Sequence, residues 1–292
     1  PSYRMNGGQG GWRGEPKNEG KNHPNGVMIY YYLKDTTQTK AMLEILETSG
    51  KLIKKFSTKP DKKLKEGEMK IKPGMNRMIW NMRYADAEGF DGLIMWGASL
   101  MGPKAIPGIY KAKLTVNDHS EETEFEILKD PRTTGTLQDI KAQFDFSIAV
   151  RDKLTETNKA VKNIRTVRDQ INRVIDPMKD KPDMKDVVDM GKSINSDMKK
   201  IEEELYQTKN RSGQDPLNYP IRLNNKIGAL GSEVDGGDYR PSEQVKAVYK
   251  ELNDKIDLQL NSLRQILRDK LPKFNDLVKQ KQISAVIVDD VM

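Results

Sequence analysis

The sequence predicts an α+β chain in which a β-sandwich is followed by an antiparallel three- or four-helix bundle. Apolar residues alternate with a period of two over residues 27–130, as they do in strands, and recur at a spacing of three to four over 131–292, as they do in helices. The low hydrophobic share of 36% and the charged share of 32% also suit long helices with a narrow apolar seam. A Gly- and Asn-rich arm, residues 1–26, precedes both predicted domains.

The β segment opens with a clear alternating strand. Val27, Ile29 and Tyr31 share one face of it, and Met28 and Tyr30 lie on the other. Six or seven such short strands within about 100 residues, with no helical pattern between them, are typical of a β-sandwich. The further predicted strands are centred on Leu43 and Ile45 and span residues 52–56, 77–84, 109–117 and 123–129.

The helical segment begins with a helix predicted from residue 137 to about 175, which Thr136 and Asp139 cap. Asp183 is predicted to cap a second long helix that ends near residue 205. A short helix over residues 221–230 and a long one from about 241 to 271 complete the set. Long amphipathic helices with short connections favour antiparallel neighbours.

The net charge of the chain does not indicate a particular class of partner. The 50 basic and 43 acidic side chains leave +7, and nine lysines gather between Lys51 and Lys72. Such a run suits either an anionic partner or the protected edge of a sheet. Because arginine and interleaved aromatic residues are absent from it, the edge strand is favoured, and no nucleic-acid partner is predicted. No stretch of 18 apolar residues occurs, so no membrane span is predicted.

The residues that carry most enzyme chemistry are scarce. There is no cysteine and there are two histidines, which excludes disulfides, thiolate metal sites and most triads. The glycines of residues 14–22 have the wrong spacing for a phosphate loop. The run Glu202–Glu204 is interpreted as a solvated helix face. Asp86, Glu88 and Asp91 lie near Trp96 in the loop 85–107, where turn chemistry also explains them. No catalytic residue, metal or cofactor is therefore predicted.

One irregular segment is unusually apolar for a loop. Side chains of this kind are costly to leave exposed, so they either fold over the sheet edge or dock another domain or partner. Trp12 adds a second indole, in the N-terminal arm. The predicted partner-binding residues are Trp96, Leu93, Ile94, Met95, Leu100, Met101 and Trp12.

Several turn and strand motifs between residues 43 and 116 form a recognisable pattern. They occupy residues 43–45, 49–53, 73–80 and 107–114. Gly74 lies at the turn before the strand that contains Trp80, and Pro107-Gly108 lies at the turn before the strand that contains Tyr110. This pattern resembles the immunoglobulin-like domain of the flagellar-hook-capping (FlgD-like) type, which is appended to many secreted bacterial proteins.

Residues 22–33, 102–110, 129–132 and 217–226 extend the pattern over nearly the whole chain. Together they resemble the C-terminal region of the sortilin-like Asp-box β-propeller proteins of Bacteroidetes and related bacteria, often labelled glycosyl hydrolases. The resemblance implies an upstream propeller, an extracytoplasmic location (periplasm, outer surface or secreted) and a protein or glycan partner. No Asp-box occurs in these 292 residues, so no catalytic residue carries over. We expect a non-catalytic accessory module, excised from a larger protein since the chain begins at Pro1. The alternative is an accessory part of an exo-glycosidase that helps to shape its substrate site.

Overall fold

The computed structural model describes residues 2–3, 24–36, 39–61 and 66–283. It confirms an α+β chain in which sheets precede a helical region. The chain packs as two compact units, which we call the β-rich unit and the helical unit. The β-rich unit comprises residues 1–86, 101–149 and 233–241, and the helical unit comprises residues 87–100, 150–232 and 242–292.

The β-rich unit contains a six-stranded sheet and a separate two-stranded antiparallel ribbon. The strands are β1 (Ser2–Tyr3), β2 (Val27–Leu33), β3 (Ala41–Glu47), β4 (Leu52–Ser57), β5 (Gly67–Glu68), β6 (Gly74–Trp80), β7 (Gly108–Val116) and β8 (His119–Leu128). The sheet has the order β1-β8-β7-β3-β4-β5, and the ribbon pairs β2 with β6. The lysine-rich β4 pairs with β3 on one side and with the two-residue β5 on the other, and Lys55 forms an ion pair with Glu66 at 2.7 Å.

Aromatic side chains fill the core of the β-rich unit. Trp80 is completely buried, and its indole N–H donates a hydrogen bond to the carbonyl oxygen of Arg83 at 3.0 Å. The strand predicted over residues 77–84 ends earlier, at Trp80, because Met82 adopts a left-handed conformation with φ of 57°. The chain therefore turns where the alternation of side chains alone predicts continued strand.

The helices are α1 (Leu137–Ile175), α2 (Lys185–Leu205), α3 (Leu223–Val234), α4 (Glu243–Gln265) and α5 (Leu271–Gln280). The predicted cap of α1 is confirmed: the Asp139 N–H donates to Thr136 Oγ1 at 3.1 Å, and the Thr136 N–H donates to Asp139 Oδ2 at 3.0 Å. The predicted cap of α2 is wrong. Asp183 lies in a 3₁₀ turn, Pro182–Met184, and α2 begins after Met184 without a side-chain cap.

The last predicted helix is interrupted by a π-helical segment, Ile266–Lys270, between α4 and α5. Pro272 follows it and has no N–H to donate back along the helix. The Leu271 N–H instead donates to the carbonyl oxygen of Ile266, five residues earlier, which widens this turn. The helix therefore continues past the proline.

Candidate functional site

The apolar segment of residues 87–100 packs against the helices of its own unit. Leu93, Met95 and Leu100 are partly buried against the helical core, and Ile94 is half-buried. Gly228 of α3 allows this approach, since a Cβ there would lie 2.8 Å from the Met95 methyl carbon. Three of the seven predicted partner-binding side chains thus contribute to packing within the helical unit.

Two buried polar side chains fasten the backbone of this segment. Asn225 is 4% exposed, and its amide binds both sides of Trp96: Oδ1 accepts the Trp96 N–H at 2.6 Å and Nδ2 donates to the Trp96 carbonyl at 2.8 Å. The Tyr206 hydroxyl accepts the Ile94 N–H at 3.2 Å and donates to the Gly92 carbonyl at 3.1 Å. These four bonds replace the backbone pairing that an irregular segment lacks.

The Trp96 side chain remains accessible although its backbone is held. Trp96 is 40% exposed, and the next residue, Gly97, turns the chain in the left-handed region with φ of 60°. Met101 is 55% exposed and belongs to the β-rich unit. Trp12 lies outside the described residues. Of the predicted set, Trp96 combines an accessible aromatic ring with a fixed backbone.

A buried carboxylate, Glu202, holds the arginine side chain that packs against Phe90 of this segment. Phe90 packs edge-on against Tyr206 with 5.0 Å between ring centroids, and the Arg165 guanidinium lies 4.7 Å from the Phe90 centroid. The Nε of Arg165 donates to Glu202 Oε1 at 2.7 Å, and Nη1 of Arg168 donates to Glu202 Oε2 at 2.8 Å.

Glu202 is 3% exposed, so its interpretation as part of a solvated face is wrong. The signal that sequence reasoning missed is the pair of arginines three positions apart on α1, which places both on one helix face. Glu203 and Glu204, by contrast, are half-buried and exposed.

Of the three carboxylates near the apolar segment, Asp86 belongs to the β-rich unit, and Glu88 and Asp91 belong to the helical unit. In the β-rich unit, Asp86 accepts the Gly102 N–H at 2.9 Å. In the helical unit, Glu88 pairs with Lys159 at 2.6 Å and Asp91 is exposed. Across the described residues, no three His, Asp or Glu side chains are grouped closely enough to hold a metal ion.

An open cleft of about 670 Å³ runs along α2, α4 and the π-helical segment. Its walls carry both signs of charge, and these pair with each other. Lys270 contacts Asp197 at 2.6 Å and Arg222 contacts Glu204 at 3.6 Å. Because its charges are satisfied internally, this cleft selects neither an anion nor a cation.

In the part of the chain that the structure describes, no helix is long and apolar enough to cross a membrane. No family model matches the sequence, and neither does any curated protein. Among solved structures, the chain is similar to one named pT26-6p, with 13% sequence identity over 83% of this chain and a TM-score of 0.18. The chain spans 42% of the length of that structure. At this TM-score the likeness carries no argument about fold or function.

Proposed function

We propose that this chain is a non-catalytic interaction module, an immunoglobulin-like sandwich followed by an antiparallel helical bundle. It acts as an accessory C-terminal region in a secreted or cell-surface bacterial protein of the sortilin-like Asp-box propeller kind. The proposal draws on the sequence resemblance. The antiparallel pairing of β3 with β4 and β7 and of β7 with β8, together with the separate β2–β6 ribbon, is compatible with the sandwich.

The accessible indole of Trp96 is the observation that carries the interaction role. An aromatic side chain whose backbone is already fixed loses little conformational entropy on binding. Tryptophan is also among the residues that contribute most to the binding energy of protein interfaces. Asn225 supplies the rigidity, since both the oxygen and the nitrogen of its side-chain amide bond to the Trp96 backbone. The partner proposed for this surface is the upstream propeller of the same protein.

The test is a calorimetric titration of this chain with the Asp-box propeller that the proposal places in the same protein. We expect Trp96→Ala to weaken binding by about tenfold or more, the loss of about 1.4 kcal/mol or more that is usual for a central aromatic contact. Tyr239→Ala is the matched control, since Tyr239 is 64% exposed in the other unit. Equal affinity for Trp96→Ala and wild type would remove Trp96 from the interface.

The alternative function is an accessory part of an exo-glycosidase, and one observation favours it. Asp91 and Trp96 are both exposed and lie five positions apart in one segment, so an acid and an aromatic ring are both available there. Chromogenic glycosides distinguish the two functions when the chain alone and the longer protein are assayed side by side. Hydrolysis by the chain alone would contradict a non-catalytic module. If Trp96→Ala and Asp91→Asn lower the activity of only the longer protein, the alternative is supported.

A further inference from the structure

The β2–β6 ribbon exposes an apolar outer face. Its cross-strand neighbours there are Met28 with Ile79, Tyr30 with Arg77, and Tyr32 with Met75. We call these six residues the tyrosine face. The exposed fraction is 56% for Tyr30, 68% for Tyr32, 61% for Met75 and 36% for Ile79. The inner face of the same ribbon carries buried core residues, Val27, Tyr31, Leu33 and Trp80.

Folding alone does not account for so many exposed apolar side chains. On the six-stranded sheet most of the corresponding outward positions of β7 and β8 are charged: Lys111 and Lys113 lie opposite Glu124 and Glu122, and the exposed apolar residue there is Ile109. Lys111 forms an ion pair with Glu122 at 2.9 Å. On both surfaces the side chains of each strand alternate between the inner and the outer face. The outer positions are mainly charged on the six-stranded sheet and mainly tyrosine and methionine on the ribbon. Exposed tyrosine, methionine and isoleucine side chains grouped on one face in this way mark a binding surface.

Positive charge lies within the tyrosine face at Arg77 and beside it at Lys70 and Lys72. Lys70, Lys72 and Arg77 are exposed, and none has an ion-pair partner within the described ranges. Together with Tyr30 and Met75 they line an open cleft of about 470 Å³, and no acidic residue lines it. Unpaired cations beside apolar surface favour an anionic ligand.

The cations are held on an ordered turn. The side chain of Asn76 is buried and accepts the Lys72 N–H at 2.9 Å. Its amide nitrogen donates to the carbonyl oxygens of Lys72 at 2.7 Å and Gly74 at 3.0 Å. The segment that presents Lys72 therefore has a defined position beside the tyrosine face.

We propose that the tyrosine face binds an anionic polysaccharide that contains uronic acid. The flat C–H faces of pyranose rings pack on tyrosine rings, whose hydroxyl groups also bond to sugar hydroxyls. Tyr30 and Tyr32 are two positions apart on one strand, about 6.6 Å along it, so successive sugars can contact both rings. Arg77, Lys70 and Lys72 pair with the carboxylates.

Three observations disfavour other occupants. An added peptide strand needs the backbone groups of a sheet edge, whereas this surface is a face. Anionic lipid surfaces are bound by clusters of about four to eight basic residues, and three lie here. Residues 4–23 of this chain carry four basic and two acidic side chains, and like charge opposes their docking on the same cations.

The experiment is isothermal titration of the full chain with polygalacturonate at low salt. We expect the double variant Tyr30→Ala/Tyr32→Ala to lower the affinity by about tenfold or more, since two stacking contacts are lost. Arg77→Gln should weaken binding by about threefold and reduce its dependence on salt. Circular dichroism of each variant should match the wild type, because all three side chains point away from the core.

Matched controls separate this surface from general charge attraction. Tyr239→Ala removes an equally exposed ring of the β-rich unit, and Lys192→Gln removes an exposed cation of the helical unit. Both should bind like the wild type.

The proposal is overturned if wild type does not bind polygalacturonate, if either control weakens binding as much as the face variants do, or if neutral dextran binds equally well. It is also overturned if polyglutamate or anionic phospholipid vesicles bind more tightly than polygalacturonate. None of these outcomes bears on Trp96, which lies in the other unit, so this inference and the proposed propeller contact fail separately.

Discussion

The β-rich unit and the helical unit fill their cores with different side chains. In the β-rich unit, Trp80 lies 5.9 Å from Tyr110 and 6.1 Å from Phe125 between ring centroids, both in edge-on geometry. The core of the helical unit is mostly Ile, Val, Leu and Met, as at Ile164, Val187 and Ile256. The β core thus holds a group of edge-on rings among aliphatic residues such as Leu43 and Ile45, whereas the helical core is formed mainly by aliphatic side chains along the helix seams.

One buried carboxylate in each unit, Asp130 and Glu202, differs in where its partner lies along the chain. In the β-rich unit, Asp130 is buried where the sheet leads into α1, and a fork of bonds from the adjacent Arg132 lowers the pKa of Asp130 to about 2. In the helical unit, Glu202 is buried between arginines that lie more than thirty positions away along the chain. At Asp130 a local charge pair supports a turn, while at Glu202 distant ones join two helices. We therefore expect the substitutions that cost the most stability to fall at a different kind of position in each unit.

The largest effect should follow removal of the central ring of the β-rich unit. We expect Trp80→Ala to lower the free energy of unfolding by about 3–5 kcal/mol, because it leaves a cavity among rings that cannot collapse. Trp96→Ala is the control and should change stability by less than about 1 kcal/mol, since Trp96 is 40% exposed. Urea unfolding followed by far-ultraviolet circular dichroism measures both. If Trp80→Ala costs no more than the small loss expected of Trp96→Ala, the stability of the β core does not depend on Trp80.

In the helical unit the most sensitive polar position is Glu202. We expect Glu202→Gln to cost about 1–3 kcal/mol, because two partly buried guanidinium groups lose their carboxylate. Glu203→Gln, one position along α2 and half-buried, should cost less than about 0.5 kcal/mol. Thermal unfolding at neutral pH compares the two variants. A loss of similar size at both positions would contradict the difference in burial.

The smallest effect should appear at the start of α1. Hydrogen bonds from the Thr136 side chain and backbone, and from Arg240, lower the pKa of Asp139 to about 2. The carboxylate therefore stabilises the fold above its ordinary pKa of about 3.9, and this stabilisation is lost as pH falls through about 2.

The melting temperature of Asp139→Asn should lie below that of wild type at pH 5, and the gap should close between about pH 4 and pH 2. Asp145→Asn removes an exposed carboxylate from the next turns of the same helix and serves as the control. A gap for Asp139→Asn that stays constant down to pH 2 would show that the charge is not responsible.

The elements of this protein were predictable where their signals are local. The alternation over residues 27–33 matches β2, and the capping box at Thr136 and Asp139 begins α1 as predicted. Strand alternation and capping depend on neighbours within a few positions, so the sequence carries these signals. The same signals failed at Asp183 and over residues 77–84, where the chain turns. The π-helical segment before Pro272 was not predicted, because the apolar spacing of the last helix continues through it.

Only the tertiary structure decided which distant residues meet. The burial of Glu202 depends on two arginines of α1, and the position of Trp96 depends on Asn225, 129 positions later. The sequence by itself determined strand and helix, the apolar character of residues 93–101 and the scarcity of catalytic side chains. The tertiary structure decided that most of that apolar segment is covered while Trp96 and the tyrosine face remain accessible. The physical reason is that periodicity depends on residues that are close in sequence, whereas burial depends on residues that become close only when the chain packs.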